Sequence, residues 1–361
     1  MKRLLSTMFV LLLLTACSKD IDETVIVDAP KGVATVTFLV TPNGLGDNGY
    51  NDAAAEGIFA FAGETGTRLR LLLPGDEAVA ETMYRQWLTD NAVQDSAVMI
   101  LGSAAYEAMA RQVSATDSDK LKSLQERGGR VLLFESDAAI DGVSTVLVSH
   151  YGVSWLAGAM SQGFDALILA ATEGIPALEE SIAGFQAARE AYAGKYEGWP
   201  CTTDVHYLAD GEAGFAMPDS TYRYIARRAE ESGIYDEMIF PLIGGSETGV
   251  LRYLNDDKFT MALMVGMDVD QTGLSSRIPF SVVIRIGDVL RQYLNDWLNG
   301  REWPQNQRLG IKDGAADIVV TPEFIEHLTI WDGRYSDPET FRRLYEKYKD
   351  EAMRKEEAYE K

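Results

Sequence analysis

Between Ala34 and Val40, apolar Ala34, Val36, Phe38 and Val40 alternate with Thr35 and Thr37, and Leu39 makes the end of the run wholly apolar. That is how a buried strand reads. Downstream, Ala54, Ile58, Phe61 and Ala62 recur at the spacing of a helix with one buried face. Between these runs lies Gly44-Leu45-Gly46-Asp47-Asn48-Gly49-Tyr50-Asn51-Asp52, rich in glycine, acid, amide and one aromatic ring. Open α/β proteins hold ligands at such strand-to-helix turns, at the carboxyl end of the sheet. The stretch is therefore expected to grip an uncharged, polar small molecule.

The alternation continues along the chain. Strands are predicted at Leu69–Leu73, Ala97–Leu101, Arg130–Phe134 and Thr145–Val148, with a helix at Ala78–Leu88. A second set follows at Ala166–Ala171, Asp204–Leu208, Met238–Ile243 and Phe259–Val265, with helices near Leu178–Tyr192, Asp219–Glu231 and Glu247–Leu254. Continuous apolar strands alternating with helices predict parallel sheets covered on both faces. The body exceeds what one core usually supports, so two domains are expected, and two such sheets suggest a clamshell. Glycine-bearing polar turns end several strands: Gly102-Ser103, Ser149-His150-Tyr151-Gly152, Gly214-Phe215, Gly244–Gly249 and Gly266–Gln271. Together they read as one rim, with Tyr106 a further candidate to line it.

Gly44-Leu45-Gly46-Asp47-Asn48-Gly49 also satisfies the dinucleotide pattern G-x-G-x-x-G. That pattern works by offering bare backbone N–H groups to a pyrophosphate, and the Asp47 carboxylate would repel it. The two cysteines and three histidines are widely separated, so no metal spacing occurs. A G-x-S-x-G elbow and a Walker loop are both missing. No cofactor is expected, and no catalysis.

The first residues carry an address. Lys2 and Arg3 precede the short apolar run Leu4–Leu14, and Leu14-Thr15-Ala16-Cys17 resembles a bacterial lipobox. The resemblance implies a signal peptide over 1–16, acylation of Cys17 and a membrane-anchored place in the cell envelope, periplasmic or surface-exposed. A polar tether is expected over 17–32. Acids this close to Cys17 resemble the surface-export signals of some Gram-negative lipoproteins. Acylation leaves Cys201 without a partner for an intrachain disulfide. The formal charge of −22 becomes two units more negative once Lys2 and Arg3 are removed. Such a surface repels nucleic acid and disfavours a phosphorylated ligand.

Five stretches resemble one family in order and rough spacing from about Val33 to Thr321. Gly46-Asp47-Asn48-Gly49-Tyr50-Asn51 is similar to the D-[KR]-[SG]-[FY]-N loop of the basic membrane protein family of solute-binding lipoproteins. Ser154-Trp155-Leu156-Ala157-Gly158-Ala159 resembles its S-F-L-A-G-Y helix, and Gly244–Val250 its G-G-x-x-x-G-V segment. Val265–Gln271 is close to V-G-V-D-x-D-Q, and Gly310–Ala316 to G-L-K-D-G-G-V. The resemblance implies a type I periplasmic-binding-protein fold, with two Rossmann-like lobes joined by three hinge crossings. It also implies a purine nucleoside-like ligand, delivered to an ABC permease by a monomeric receptor.

Carried over by position, Tyr50 matches the first stacking ring, with Asp47 and Asn51 beside it. Phe215 is the candidate second ring, on a looser match. Asp268 matches the ribose-binding aspartate and Gly245 the glycine beside it, while Ser103 stands on the rim. Arg285, or Ile284 one residue off, falls where the family has a lysine, and arginine would change the geometry as well as the residue. The implied lobes are 33–149 with 281–300, and 150–280 with 301–330.

Other roles stand beside these. Tyr50 and Phe215 could pack in a core, Asp268 and Asp270 could close Asx turns, and Arg285 could pair with Asp288. Trp155 is expected in the core. Phe324, Leu328 and Trp331 are expected to dock on a lobe, and the charged tail 331–361 reads as a solvated helix, with partner binding the sharper option. A surface sensor or capture protein, and an exported nucleoside-processing enzyme, are the alternative functions.

Overall fold

The computed structural model describes residues 23–27, 34–42, 44–46, 49–193, 201–233, 237–256, 261–322, 324–325 and 338–360. The first half comprises β1 (Glu23–Val27), β2 (Thr35–Leu39), α1 (Tyr50–Thr65), β3 (Arg68–Leu72), α2 (Glu77–Asn91), β4 (Ala97–Leu101), α3 (Glu107–Thr116), α4 (Ser118–Glu126), β5 (Arg130–Phe134) and β6 (Ser144–Val148). Next come α5 (Tyr151–Met160), β7 (Ala166–Ala170), α6 (Pro176–Tyr192), β8 (Thr203–Tyr207), α7 (Pro218–Ser232), β9 (Met238–Leu242), α8 (Glu247–Asp256), β10 (Leu263–Gly266) and β11 (Phe280–Ile284). The chain then forms α9 (Ile286–Leu298), β12 (Gln307–Leu309), β13 (Ala316–Val320) and α10 (Pro338–Tyr359).

Two sheets result. The first runs β1-β3-β2-β4-β5-β6-β12, parallel throughout except for β1, which lies antiparallel on the β3 edge. The second runs β13-β11-β10-β9-β7-β8, with β13 antiparallel to β11. The part of the expected tether over Glu23–Val27 is therefore a sheet edge, because Thr24–Val27 can pair with the open backbone of β3.

Strand side chains alternate between two apolar layers, which explains the unbroken apolar runs. Val36, Phe38, Val98, Ile100, Leu132 and Phe134 face α1 and α9, whereas Leu39, Met99, Leu101 and Leu133 join Met83, Trp87 and Val113 of α2 and α3. In the second sheet Ile168, Phe240 and Val265 face α5 and α6, and Leu167, Leu169, Ile239 and Met264 join Ile225 and Val250 of α7 and α8. Each such buried side chain contributes about 1.5–3 kcal/mol. Trp155 is fully buried in this core, as expected.

Helices α1 and α9 touch backbone to backbone. A Cβ on Gly57 would lie 2.3 Å from the Gly287 Cα, with no flexible side chain to yield. Gly57→Ala is therefore expected to lower stability by about 3 kcal/mol through overpacking, read as a lower urea midpoint at unchanged slope. A midpoint equal to wild type would refute the close packing.

Three crossings join the sheets, at Ser149-His150, at Arg285 and at Gly310–Ala315. Backbone hydrogen bonds lace them together, from Ser149 N to Leu309 O at 2.7 Å and from Arg285 N to Ala315 O at 2.8 Å. The expected lobe boundaries move accordingly. Strand β11 belongs to the second sheet and β12 to the first, so the crossings fall later than 280 and 300. The apolar run Phe280–Ile284 fits either sheet, and only its pairing with β10 and β13 decides.

The tail is a second correction. Helix α10 buries Phe341, Tyr348, Ala352 and Glu356, so it is docked rather than solvated. Phe324 packs against Phe280 at 5.7 Å, while Leu328 and Trp331 lie outside the described residues.

Candidate functional site

Both sheets reverse their strand order, beside β2 and β4 in the first and beside β7 and β9 in the second. Side-chain-lined crevices form at the carboxyl ends of such reversals, because the two neighbouring connections leave in opposite directions. Of the residues singled out from the sequence, Ser103 follows β4 and Gly245 follows β9 at these ends, while Phe215, Asp268 and Arg285 follow β8, β10 and β11. In the first turn of α1 lies Asn51, buried at 5% exposure, whose Oδ1 accepts from Thr41 Oγ1 of the β2–α1 loop at 3.1 Å. From the loop, Gly46 N donates to Oδ1 of Asp52 in the same helical turn at 2.7 Å. That N–H is thus already engaged by an acid, which opposes pyrophosphate binding. Tyr50 opens α1, but its side chain, like Asp47 and Asn48, lies outside the described residues, as does Cys17.

Ser103 follows β4, where its Oγ accepts from Ala105 N at 3.1 Å and caps a short turn. Tyr106, a rim candidate, is instead fully buried and donates to Val40 O at 2.6 Å, fixing the end of β2. In the second lobe the β8–α7 segment is pressed onto the end of β7, since a Cβ on Gly214 would meet Ala171 O at 1.9 Å. This holds half-buried Phe215 over Gly244 and Gly245. Phe215 also packs on the α7–α8 core, so the ring serves packing whatever else it does.

Asp268 follows β10 with φ of 65°, and Val269 N donates to Met267 O across it at 2.7 Å. Left-handed backbone at a non-glycine residue is strained. Asp268 is fixed there by Ile284 N, which donates to its carbonyl at 3.0 Å, and by Gln271, whose Oε1 accepts from Met267 N at 3.1 Å. The Asx turn anticipated nearby is made by Asp270, whose Oδ1 accepts from Thr272 N at 3.0 Å. Arg285 is exposed at the second crossing.

Glu135 was not among the expected site residues, and His150 stood only within the rim turn Ser149-His150-Tyr151-Gly152. Glu135 directly follows β5 and shares the left-handed backbone of Asp268, with φ of 61°. Its side chain is 9% exposed and its Oε2 stands 3.6 Å from His150 Nε2, short of a hydrogen bond. Neither Glu135 Oε1 nor His150 Nε2 has a hydrogen-bond partner among the described residues. Burial pulls the His150 pKa down, but Glu135, Asp268 and Glu180 outweigh it and leave the ring above the ordinary imidazole range. Acids from both lobes thus raise the proton affinity of one buried imidazole at the hinge. In the sequence the rim turn holding His150 and the placement of Glu135 directly after an apolar strand run hinted at this.

Among the described residues no group of His, Cys, Asp or Glu is arranged to hold a metal ion, and no helix is long and apolar enough to cross a membrane. Chemically, the arrangement offers hydrogen-bond acceptors of fixed direction and one ring that exchanges a proton.

No protein-family model and no curated protein matches the chain. Solved structures do. An ABC transporter system solute-binding protein from Aeropyrum pernix K1 superimposes with a TM-score of 0.68 at 17% identity, over 90% of this chain and 92% of that one. A transcriptional activator of the comK gene from Bacillus halodurans gives 0.58 at 18% identity, over 84% and 96%. A carbohydrate transporter solute-binding protein from Agrobacterium radiobacter, in complex with D-arabinose, gives 0.53 at 15% identity, over 85% and 99%. At such identities the likeness concerns the fold, which is that of the type I periplasmic binding proteins.

Proposed function

We propose that this chain is an envelope-anchored solute receptor, which closes two lobes on a neutral, nucleoside-like molecule, hands it to an ABC permease and performs no chemistry. The observation that carries this reading is the pair of acids on left-handed backbone, Glu135 after β5 in one lobe and Asp268 after β10 in the other, with Glu135 3.6 Å from His150 at the hinge. Carboxylates accept strongly from vicinal hydroxyls and amide-like N–H groups, and closure dries the cleft so that each unmatched polar group is penalised. Aromatic stacking on Tyr50 and Phe215 would add about 1–3 kcal/mol per base face. The acidic surface suits a ligand without phosphate. Cys17, acylated, would hold the receptor at the membrane.

Thermal shift and calorimetry with inosine, adenosine and guanosine test this, using protein unfolded and refolded to remove carried-over ligand. At one hundred times Kd the expected stabilisation is about 2.7 kcal/mol. D-Arabinose is the second probe, since a related fold binds it. Stabilisation by the pentose alone would move the reading to a sugar receptor, and conversion of a nucleoside during incubation would move it to an enzyme.

A further inference from the structure

The last turn of α10 enters the joint between the lobes. Glu356 is 2% exposed, and its Oε2 accepts from Ile311 N at 3.1 Å. Two glycines make room for the carboxylate. A Cβ on Gly152 would come within 2.6 Å of Oε1, and one on Gly310 within 2.1 Å of Oε2. Gly152 lies just after the first hinge crossing, and Gly310 and Ile311 lie on the third. One carboxylate is therefore hydrogen-bonded to the third crossing and packed against the chain just after the first.

Its neighbours extend the grip. The Tyr359 ring stacks on Tyr151, with centroids 4.0 Å apart and planes 14° from parallel. Glu360 Oε1 accepts from Arg308 Nε at 2.9 Å. Arg308, on β12 of the first lobe, also pairs with Asp137 at 3.1 Å and with Glu180 on α6 of the second lobe. Glu180 Oε2 in turn accepts from the His150 backbone N–H at 3.2 Å. A chain of direct contacts thus runs from the end of α10 to the backbone of His150 at the hinge.

Upstream, the helix is fastened to the second lobe. Tyr345 donates to Asp317 Oδ1 at 2.9 Å, Lys349 pairs with Asp317 Oδ2 at 2.7 Å, and Tyr192 donates to Glu351 Oε2 at 2.9 Å. The shaft of α10 rides on one lobe while its tip holds the joint and, through Arg308, the other lobe.

We propose that α10 is a strap across the hinge, and that Glu356 is the positioning residue through which it sets the balance of open and closed lobes. Hinge closure is absorbed by a few residues at the crossings. A contact that favours one lobe arrangement shifts that equilibrium by its differential free energy, and ligand affinity follows. The proposal rests on the two-lobe fold and not on the identity of the ligand.

Pulsed electron paramagnetic resonance on the full chain tests it without any ligand. Spin labels are placed at Val93→Cys in the first lobe and Met261→Cys in the second, both exposed, with Cys17 and Cys201 changed to serine. Glu356→Ala and Gly152→Ala are expected to broaden the interlobe distance distribution or move its mean by roughly 2 Å or more. Glu356→Gln, which keeps the shape and the acceptor for Ile311, is expected to stay nearer to wild type, and the exposed Glu346→Ala to match it. Urea unfolding of each variant checks that it is folded. A folded Glu356→Ala whose distribution superimposes on wild type overturns the proposal. Should that variant fail to fold, a folded Gly152→Ala with an unmoved distribution overturns it equally. Loss of nucleoside binding with a normal response to Glu356→Ala would sink the proposed ligand and leave the strap standing.

Discussion

Between about pH 4.5 and about pH 7, wild type is expected to lose about 3 kcal/mol of stability relative to its Glu356→Gln variant. Burial raises the Glu356 pKa from 4.5 to about 7, with Glu360 adding to the rise. The Ser149 hydroxyl and the N–H groups of Ile311 and Gly152 pull the other way, and of these only Ile311 closes a full hydrogen bond with it. Above the ordinary value the unfolded chain has released its proton while the folded chain still holds it. The folded state therefore binds more protons, and stability falls as pH rises until the folded group ionises as well. Below pH 4 both forms are neutral, and above pH 8 the difference is complete. The amide of the Glu356→Gln variant has no proton to release in this range, so its profile lacks the step. Urea titrations at pH 4, 6 and 8 measure it, and parallel profiles for the two proteins would show that Glu356 is not buried as described.

Asp268→Asn is expected to weaken nucleoside binding roughly thirtyfold, about 2 kcal/mol. Asparagine is the informative replacement because it tolerates the left-handed backbone at φ of 65°, whereas alanine would add strain. The variant thus removes the charge while keeping the turn. Asp270→Asn, whose side chain only closes a local turn with Thr272, is the matched control and should bind as wild type does. Equal losses at both positions would indicate a damaged loop rather than a lost ligand contact. Calorimetry with inosine separates these outcomes.

The parts of the fold that were legible in the sequence are those fixed by local pattern. Strand runs such as Ala97–Leu101 and Arg130–Phe134 are continuous and apolar because both sheet faces are covered, and they fall where the pattern put them. What pattern could not show is pairing. Glu23–Val27 reads as part of a tether because its partner, β3, is more than forty residues away, and β11 and β12 exchange lobes for the same reason. The terminal helix shows how composition misleads: a dense run of charge looks solvated, yet its stripe of Phe341, Tyr348 and Ala352 suffices to dock it, and one of its acids is buried.

The site divides along the same line. Motif order marks positions: Gly245 and Asp268 come shortly after β9 and β10, and Asn51 lies in the first turn of α1. Glu135 escapes such a reading, although it follows β5 and His150 follows the neighbouring β6, because a lone acid after a strand carries no motif and a backbone φ leaves no trace in composition. Tyr106 errs in the opposite direction, since an aromatic beside a glycine turn looks like a ligand plate until its hydroxyl is found on Val40.

Mass spectrometry of the small molecules released by denaturing freshly purified protein tests the central claim most directly. A purine nucleoside, present in near-equal amount with the wild-type chain and depleted from Asp268→Asn, is the predicted result. A free sugar or a phosphorylated compound released in that amount, retained equally by both proteins, would contradict it.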